Sequence, residues 1–92
     1  VEAQRLAVVQ EVEDAARDVA VTAERLGLAE DQARLAAEAA ATARRGFAGG
    51  VAGSLDVLDA NDRLFQSEVG LAQARAQLGA ALASLERAAG RS

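Results

Sequence analysis

Large and small apolar residues alternate at heptad spacing through the second half of the chain. The large ones recur every seven positions, at Val57, Leu64, Leu71, Leu78 and Leu85. A small residue follows three positions after each, at Ala60, Ser67, Ala74, Ala81 and Ala88. This spacing predicts a long helix that packs against another helix through a seam in which large side chains lie over small ones.

The first half carries a matching seam. One heptad position holds Val12, Val19 and Leu26, continued by Ala33 and Ala40, and the other holds Val8, Ala15, Thr22, Ala29 and Ala36. The chain contains no proline, and its many alanines, leucines and arginines favour helix. A short connection makes neighbouring helices antiparallel. The sequence therefore predicts an all-α fold, a long antiparallel two-helix coiled-coil hairpin with helix 1 at about 1–45, a tip loop at about 46–53 and helix 2 at about 54–88.

A second apolar stripe runs along helix 2 beside the seam. It consists of Leu58, Phe65, Val69, Ala72, Ala76 and Ala83. The partner helix of the hairpin cannot cover both stripes, and a two-helix hairpin buries little apolar area. We therefore expect further helices to pack on both flanks, either from the rest of a longer parent chain or from other copies, and we expect the chain on its own to self-associate. Periodicity alone leaves open an ordinary four-helix bundle or a dimer of hairpins.

Composition excludes several classes of function. The net charge is −4 and no lysine is present, so no basic face for a nucleic acid is expected. Histidine and cysteine are both absent, which removes the usual nucleophiles, general bases and transition-metal ligands. We predict no catalytic residue, no metal site and no cofactor, and hence a protein that is not an enzyme.

Three aspartates stand at the start of helix 2. Asp56 and Asp59 lie one turn apart and share a face, whereas Asp62 lies further round and Asp59 can pair with Arg63 four residues on. Negative charge in the first turns of a helix is explained by the helix dipole alone. A functional carboxylate pair at Asp56 and Asp59 is the other interpretation.

Four glycines between the helices, Gly46, Gly49, Gly50 and Gly53, are explained by the left-handed backbone that a chain reversal needs. No strand precedes them and no lysine follows, so a phosphate-binding loop is a poor alternative. Because Gly53 is followed by Ser54, the N-cap of helix 2 is either weak or shifted by one residue.

The segment GGVAGSLDVLDANDRLFQSEVGLAQARAQLGAALASLERAAG resembles the last helical hairpin of the TolC-like outer membrane efflux protein family. The family pattern is an aromatic residue, a glycine at a small tip loop, L-D-V-L-D-A, an apolar residue, and L-A-Q-A-R before an alanine-leucine end. Matching residues are Phe47, Gly50, 55–60, Phe65, 71–75 and 85–90. The match is specific over residues 44–90, and residues 1–43 agree only in helical character.

The resemblance implies a passive exit duct for drugs, metals or polypeptides. Proteins of the family are homotrimers of the outer membrane of Gram-negative bacteria, in which hairpins of this kind form a periplasmic α-barrel. They work with an inner-membrane pump and a periplasmic adaptor protein. Membrane contact would come only from segments of the full-length protein outside this chain.

The resemblance also implies roles for individual residues. The hairpin tip would bind the adaptor, through Gly50, Val51, Ala52, Gly53, Ser54 and Leu55. Asp56 and Asp59 would face the pore at its periplasmic entrance, where three copies make an acidic ring. Ala52 stands where some relatives have a basic residue that helps to close the entrance. Two alternatives are the helical hairpin of the adaptor itself and a structural or signalling coiled coil without a role in transport.

Overall fold

The computed structural model describes residues 1–91 as two α-helices joined by a turn. α1 spans Glu2–Ala48 and α2 spans Ser54–Gly90. No strand occurs within residues 1–91. The predicted all-α two-helix hairpin is confirmed.

Both helices extend past the ends expected from the sequence. α1 continues through Gly46 to Ala48 rather than ending near residue 45, and α2 continues to Gly90 rather than ending near residue 88. The amide of Gly49 still donates a helical hydrogen bond to the carbonyl of Arg45, at 3.0 Å. A glycine inside a helix costs about 1 kcal/mol relative to alanine, which is not enough to end a long helix.

The chain divides into two compact units, each containing part of both helices. Residues 1–26 with residues 74–91 form the first, here called the terminal unit. In it, Thr22 and Ala81 line one groove between the helices, while Ala15 and Ala88 line another. Facing residues thus run in opposite order, so the helices are antiparallel. Arg91 closes the unit with an ion pair to Glu11, at 2.7 Å from Nη1 to Oε2.

Small side chains form the centre of the terminal unit. Ala74, Ala81 and Ala88 are buried, and so is Thr22. The Thr22 hydroxyl donates to backbone carbonyls of its own helix, at 2.8 Å from Asp18 and 3.1 Å from Val19. Because this hydroxyl is satisfied within α1, it can lie in the seam without an unpaired donor.

Gly27–Gln73 forms the second unit, here called the tip unit, which contains the turn between the helices. Ala40 is completely buried in it. Near the turn, Nη1 of Arg44 on α1 donates to Oδ1 of Asn61 on α2, at 3.3 Å. Because the last turns of α1 here contact the first turns of α2 across a short turn, the two helix segments run antiparallel.

Each large residue of the predicted seam is half-buried in its unit. In the terminal unit these are Val12, Val19, Leu26, Leu78 and Leu85, and in the tip unit Val57, Leu64 and Leu71. The buried alanines of α2, Ala74, Ala81 and Ala88, fall at its small seam positions, whereas Ala40 of α1 continues the heptad position of Val12, Val19 and Leu26. Alanines are therefore the best-buried seam residues, and the larger side chains remain partly open to solvent.

Candidate functional site

The turn between the helices begins with a hydrogen-bonded C-cap on α1. Gly50 has a φ of 78°, and no other residue in the described part of the chain has a positive φ. Its amide donates to the carbonyl of Phe47 at 3.1 Å, and the Val51 amide donates to the carbonyl of Gly46 at 2.7 Å. These two bonds around a left-handed glycine are a Schellman motif. They satisfy carbonyls that the end of a helix would otherwise leave free.

Gly46 lets the turn fold closely back onto α1. Its carbonyl also accepts a hydrogen bond from the amide of Ala52, at 3.0 Å. A Cβ atom on Gly46 would lie 3.1 Å from the Cβ of Ala52, closer than side chains normally approach. A larger residue at position 46 would require Ala52 to shift by a few tenths of an ångström, whereas glycine at position 50 suits the left-handed backbone there.

Gly53 is the N-cap of α2, and Ser54 is the first helical residue. The Gly53 carbonyl accepts from the amides of Asp56 and Val57, at 3.2 and 3.4 Å. In the reverse direction, the Gly53 amide donates to Oδ2 of Asp56, at 3.0 Å. This is the half of a capping box in which an acidic residue in the first turn reaches back to the N-cap amide. Because the N-cap is Gly53 rather than Ser54, the side-chain hydrogen bond at this end of α2 comes from Asp56.

The other two aspartates have side-chain partners further along α2. Oδ2 of Asp59 forms the expected ion pair with Nη2 of Arg63, at 3.1 Å. Oδ2 of Asp62 accepts from Nε2 of Gln66, also at 3.1 Å. Asp56 and Asp59, which were expected to act together, therefore have separate partners within the chain.

The tip presents apolar side chains to solvent. Val51 is 89% exposed and Leu55 is 78% exposed. Of the six residues predicted to form the tip surface, only Ala52 is half-buried, and the remaining five are exposed. Phe47, in the last turn of α1, is 54% exposed and adds an aromatic side chain that the predicted set did not include. In the sequence, the position of an aromatic residue among the glycines of the turn was the signal that could have added Phe47 to the predicted set.

The second apolar stripe of α2 is largely uncovered in the tip unit. Leu58 and Phe65 are each more than 60% exposed, and Val69 is also exposed. On α1, Leu28 and Leu35 are exposed seven residues apart. These two leucines form an apolar row that the seam analysis missed.

An open groove of about 600 Å³ lies between the helices of the tip unit. Small residues from both helices form much of it, with Leu35, Gln66 and the Asp59–Arg63 pair beside them. Its lining is Gln32, Leu35, Ala36, Ala39, Asp59, Ala60, Arg63, Gln66, Ser67 and Gly70. Sequence reasoning did not find this groove, because its lining depends on which residues of α1 face which residues of α2.

The described residues offer no site for a metal and no membrane span. Within residues 1–91, no three His, Cys, Asp or Glu side chains are grouped to hold a metal ion. Neither helix contains, over the same residues, a stretch long and apolar enough to cross a bilayer.

Compared with known protein families, residues 1–91 match the family described as outer membrane efflux protein. The chain belongs to the outer membrane efflux protein family. Its members are channel and transport proteins of the outer membrane with periplasmic helical portions, and they form oligomers that interact with other efflux components. The match includes α1, where the sequence motifs had carried no specific resemblance. No curated protein and no solved structure matches the chain.

Proposed function

We propose that this chain is a periplasmic hairpin of an outer membrane efflux duct, and that its tip docks a periplasmic adaptor protein. The family match over residues 1–91 carries the proposal. The assembled protein is then a homotrimer in the outer membrane of a Gram-negative bacterium. It provides a passive path through which an inner-membrane pump or secretion complex expels drugs, metals or polypeptides.

The form of the tip supports docking. Its backbone is held by the C-cap at Gly50 and by the contact of Asp56 with Gly53, so little ordering remains to be done on binding. Val51 and Leu55 are more exposed than other large apolar residues of the tip unit. Exposed apolar side chains on a rigid backbone are well suited to insert between the helices of a partner.

Docking is tested by placing charge on the tip of the full-length protein. We expect Val51→Arg and Leu55→Arg to reduce cross-linking to the adaptor at least tenfold, since each would bury an unpaired charge in the interface. The trimer should persist. The measurement is the yield of adaptor cross-links in intact cells, with trimer content determined on the same samples.

The matched control is Leu6→Arg, which changes an equally apolar residue, 67% exposed, in the terminal unit. It should leave adaptor cross-linking unchanged. Normal cross-linking in both tip variants would remove the tip from the interface and overturn the docking role.

The same proposal gives Asp56 and Asp59 a place at the pore entrance. In a trimer, three copies of each carboxylate would converge, and such a ring favours cations. Replacing both residues with Asn in the full-length duct should weaken block of its conductance by divalent or larger cations, measured in planar bilayers. The control is Asp18→Asn, an exposed aspartate of the terminal unit. Unchanged block in the double variant would contradict the entrance ring.

A further inference from the structure

We infer that Asp56 is a positioning residue of the tip, whose carboxylate holds the turn by bonding the Gly53 amide rather than acting only as one of two equivalent entrance charges. The inference starts from the cap itself. Gly53 occupies the N-cap position but has no side chain with which to bond the free amides of the first turn. Oδ2 of Asp56, at 3.0 Å from the Gly53 nitrogen, is the side-chain acceptor that the described structure provides there.

Ser54 cannot take over this role where it stands. Serine caps a helix from the N-cap position, and here Ser54 is one residue inside the helix. The bond from Asp56 therefore joins the first turn of α2 to the last residue of the loop.

The neighbouring aspartates provide an internal comparison. Asp59 bonds Arg63 and Asp62 bonds Gln66, and both contacts join residues within α2. Among these three carboxylates, that of Asp56 alone forms a hydrogen bond to a loop residue in the described part of the chain. Removing the same charge at residue 56 or residue 59 should therefore have different consequences for the tip.

Hydrogen bonds hold the turn at both of its ends, and the bond from the Gly53 amide to Asp56 is the one at the α2 end. The C-cap on α1 fixes Val51 and Ala52 through the Gly46 carbonyl. The Asp56 contact fixes Gly53 on the other side. Val51 lies two residues before Gly53 and Leu55 two residues after it. Loss of the contact between Gly53 and Asp56 would therefore allow these exposed side chains to change orientation. That this orientation matters for adaptor docking rests on the proposed function.

A series of variants in the full-length protein separates bonding from charge. Asp56→Ala removes both the acceptor and the charge, whereas Asp56→Asn keeps an acceptor oxygen of the same reach and removes only the charge. Asp59→Ala and Asp59→Asn are the matched controls one turn further along. Hydrogen exchange of the amides of residues 53–57 reports on the cap, and adaptor cross-linking reports on docking.

We expect Asp56→Ala to speed exchange of these amides about fivefold and to reduce cross-linking. Asp56→Asn should stay within about twofold of the natural protein in exchange, and neither Asp59 variant should change it. The inference is overturned if Asp56→Asn speeds exchange as much as Asp56→Ala, or if neither Asp56 variant changes it.

A second-site variant provides a rescue. Gly53 does not have a positive φ, and a Cβ there would lie 3.7 Å from the nearest side-chain atom, an ordinary contact. Gly53→Ser can therefore place a capping hydroxyl at the N-cap. In the Asp56→Ala background it should restore slow exchange without restoring the charge, and failure to do so would count against the capping role.

The two proposals fail in different ways. If Asp56→Ala speeds exchange while cross-linking stays normal in this variant, in Val51→Arg and in Leu55→Arg, the docking role of the tip is overturned and the positioning role of Asp56 stands. If Val51→Arg abolishes cross-linking but Asp56→Ala changes nothing, docking stands and the positioning role is overturned.

Discussion

The terminal unit and the tip unit contain parts of the same two helices, but they differ in what they bury. The terminal unit has four buried residues, Thr22, Ala74, Ala81 and Ala88, whereas Ala40 is the single buried residue in the described tip unit. Large apolar residues that remain exposed show the opposite distribution. The terminal unit has Val1, Leu6, Val9, Val21 and Leu82, and the tip unit has Leu28, Leu35, Phe47, Val51, Leu55, Leu58, Phe65 and Val69.

This difference indicates which unit depends more on other molecules. Both phenylalanines of the chain lie in the tip unit, and each is more than half exposed. Full burial of a leucine or phenylalanine side chain contributes about 1.5–3 kcal/mol. A partner that covered the exposed apolar side chains would therefore stabilise the tip unit more than the terminal unit, in which the alanines of the seam are already buried.

The largest effect is expected from a bulky side chain placed in the seam of the terminal unit. This change tests whether the terminal unit is the more closely packed of the two. Ala81 is 3% exposed, so Ala81→Leu adds three carbon atoms to a side chain that the neighbouring residues already cover almost completely. We expect a loss of about 1–3 kcal/mol in the stability of the terminal unit. Hydrogen exchange of residues 74–91 in the full-length protein measures this loss.

Ala80 provides the control for that substitution, since it is the preceding residue on α2 and is exposed. Ala80→Leu should change exchange by less than about twofold. Equal effects of the two leucines would mean that the terminal seam is not closely packed, and the contrast between the units would lose its basis.

A smaller effect, on association rather than folding, is expected at Phe65. This residue is 64% exposed, so Phe65→Gln should change the stability of a single hairpin little. If copies of the chain cover the stripe, the substitution should raise the dissociation constant of self-association about tenfold, since burial of the exposed part of the ring contributes about 1–2 kcal/mol. Sedimentation of the 92-residue chain measures the constant.

Leu6→Gln is the matched change in the terminal unit, where the leucine is similarly exposed. It should weaken association less than Phe65→Gln, because Leu6 lies outside the stripe. A helical chain that remains monomeric at all accessible concentrations would contradict the expected self-association.

Heptad spacing was sufficient to predict the two helices of the hairpin, because a repeat of apolar residues that matches the helical period can be seen in the sequence alone. Val57 and Leu64 at one spacing and Ala74 and Ala81 at the other are all at least half-buried. The groove of the tip unit could not be predicted from the sequence, since heptad spacing does not determine which residues of α1 face Asp59 or Gly70. Leu28 and Leu35 were missed because a row of only two large residues is a weak pattern.

The turn was predicted as a glycine loop but not in its details. Glycine adopts many conformations at little cost, so composition alone could not show that Gly50 takes the left-handed conformation and that Gly46 continues the helix. The sequence left two candidates for the N-cap of α2, Gly53 and Ser54, because serine is normally preferred at the N-cap. In the structure Gly53 is the N-cap, and the carboxylate of Asp56 accepts a hydrogen bond from its amide. Dipole compensation had explained that aspartate only in general terms.

The close approach of Gly46 and Ala52 has a consequence for how sequences in this family diverge. A side chain at residue 46 would lie close to the methyl group of Ala52, so larger residues at both positions together would crowd the turn. A relative with the same turn and alanine at the first position is expected to have glycine at the second. Such paired replacement would be a signature by which this turn is identified in sequences that have lost the surrounding motif.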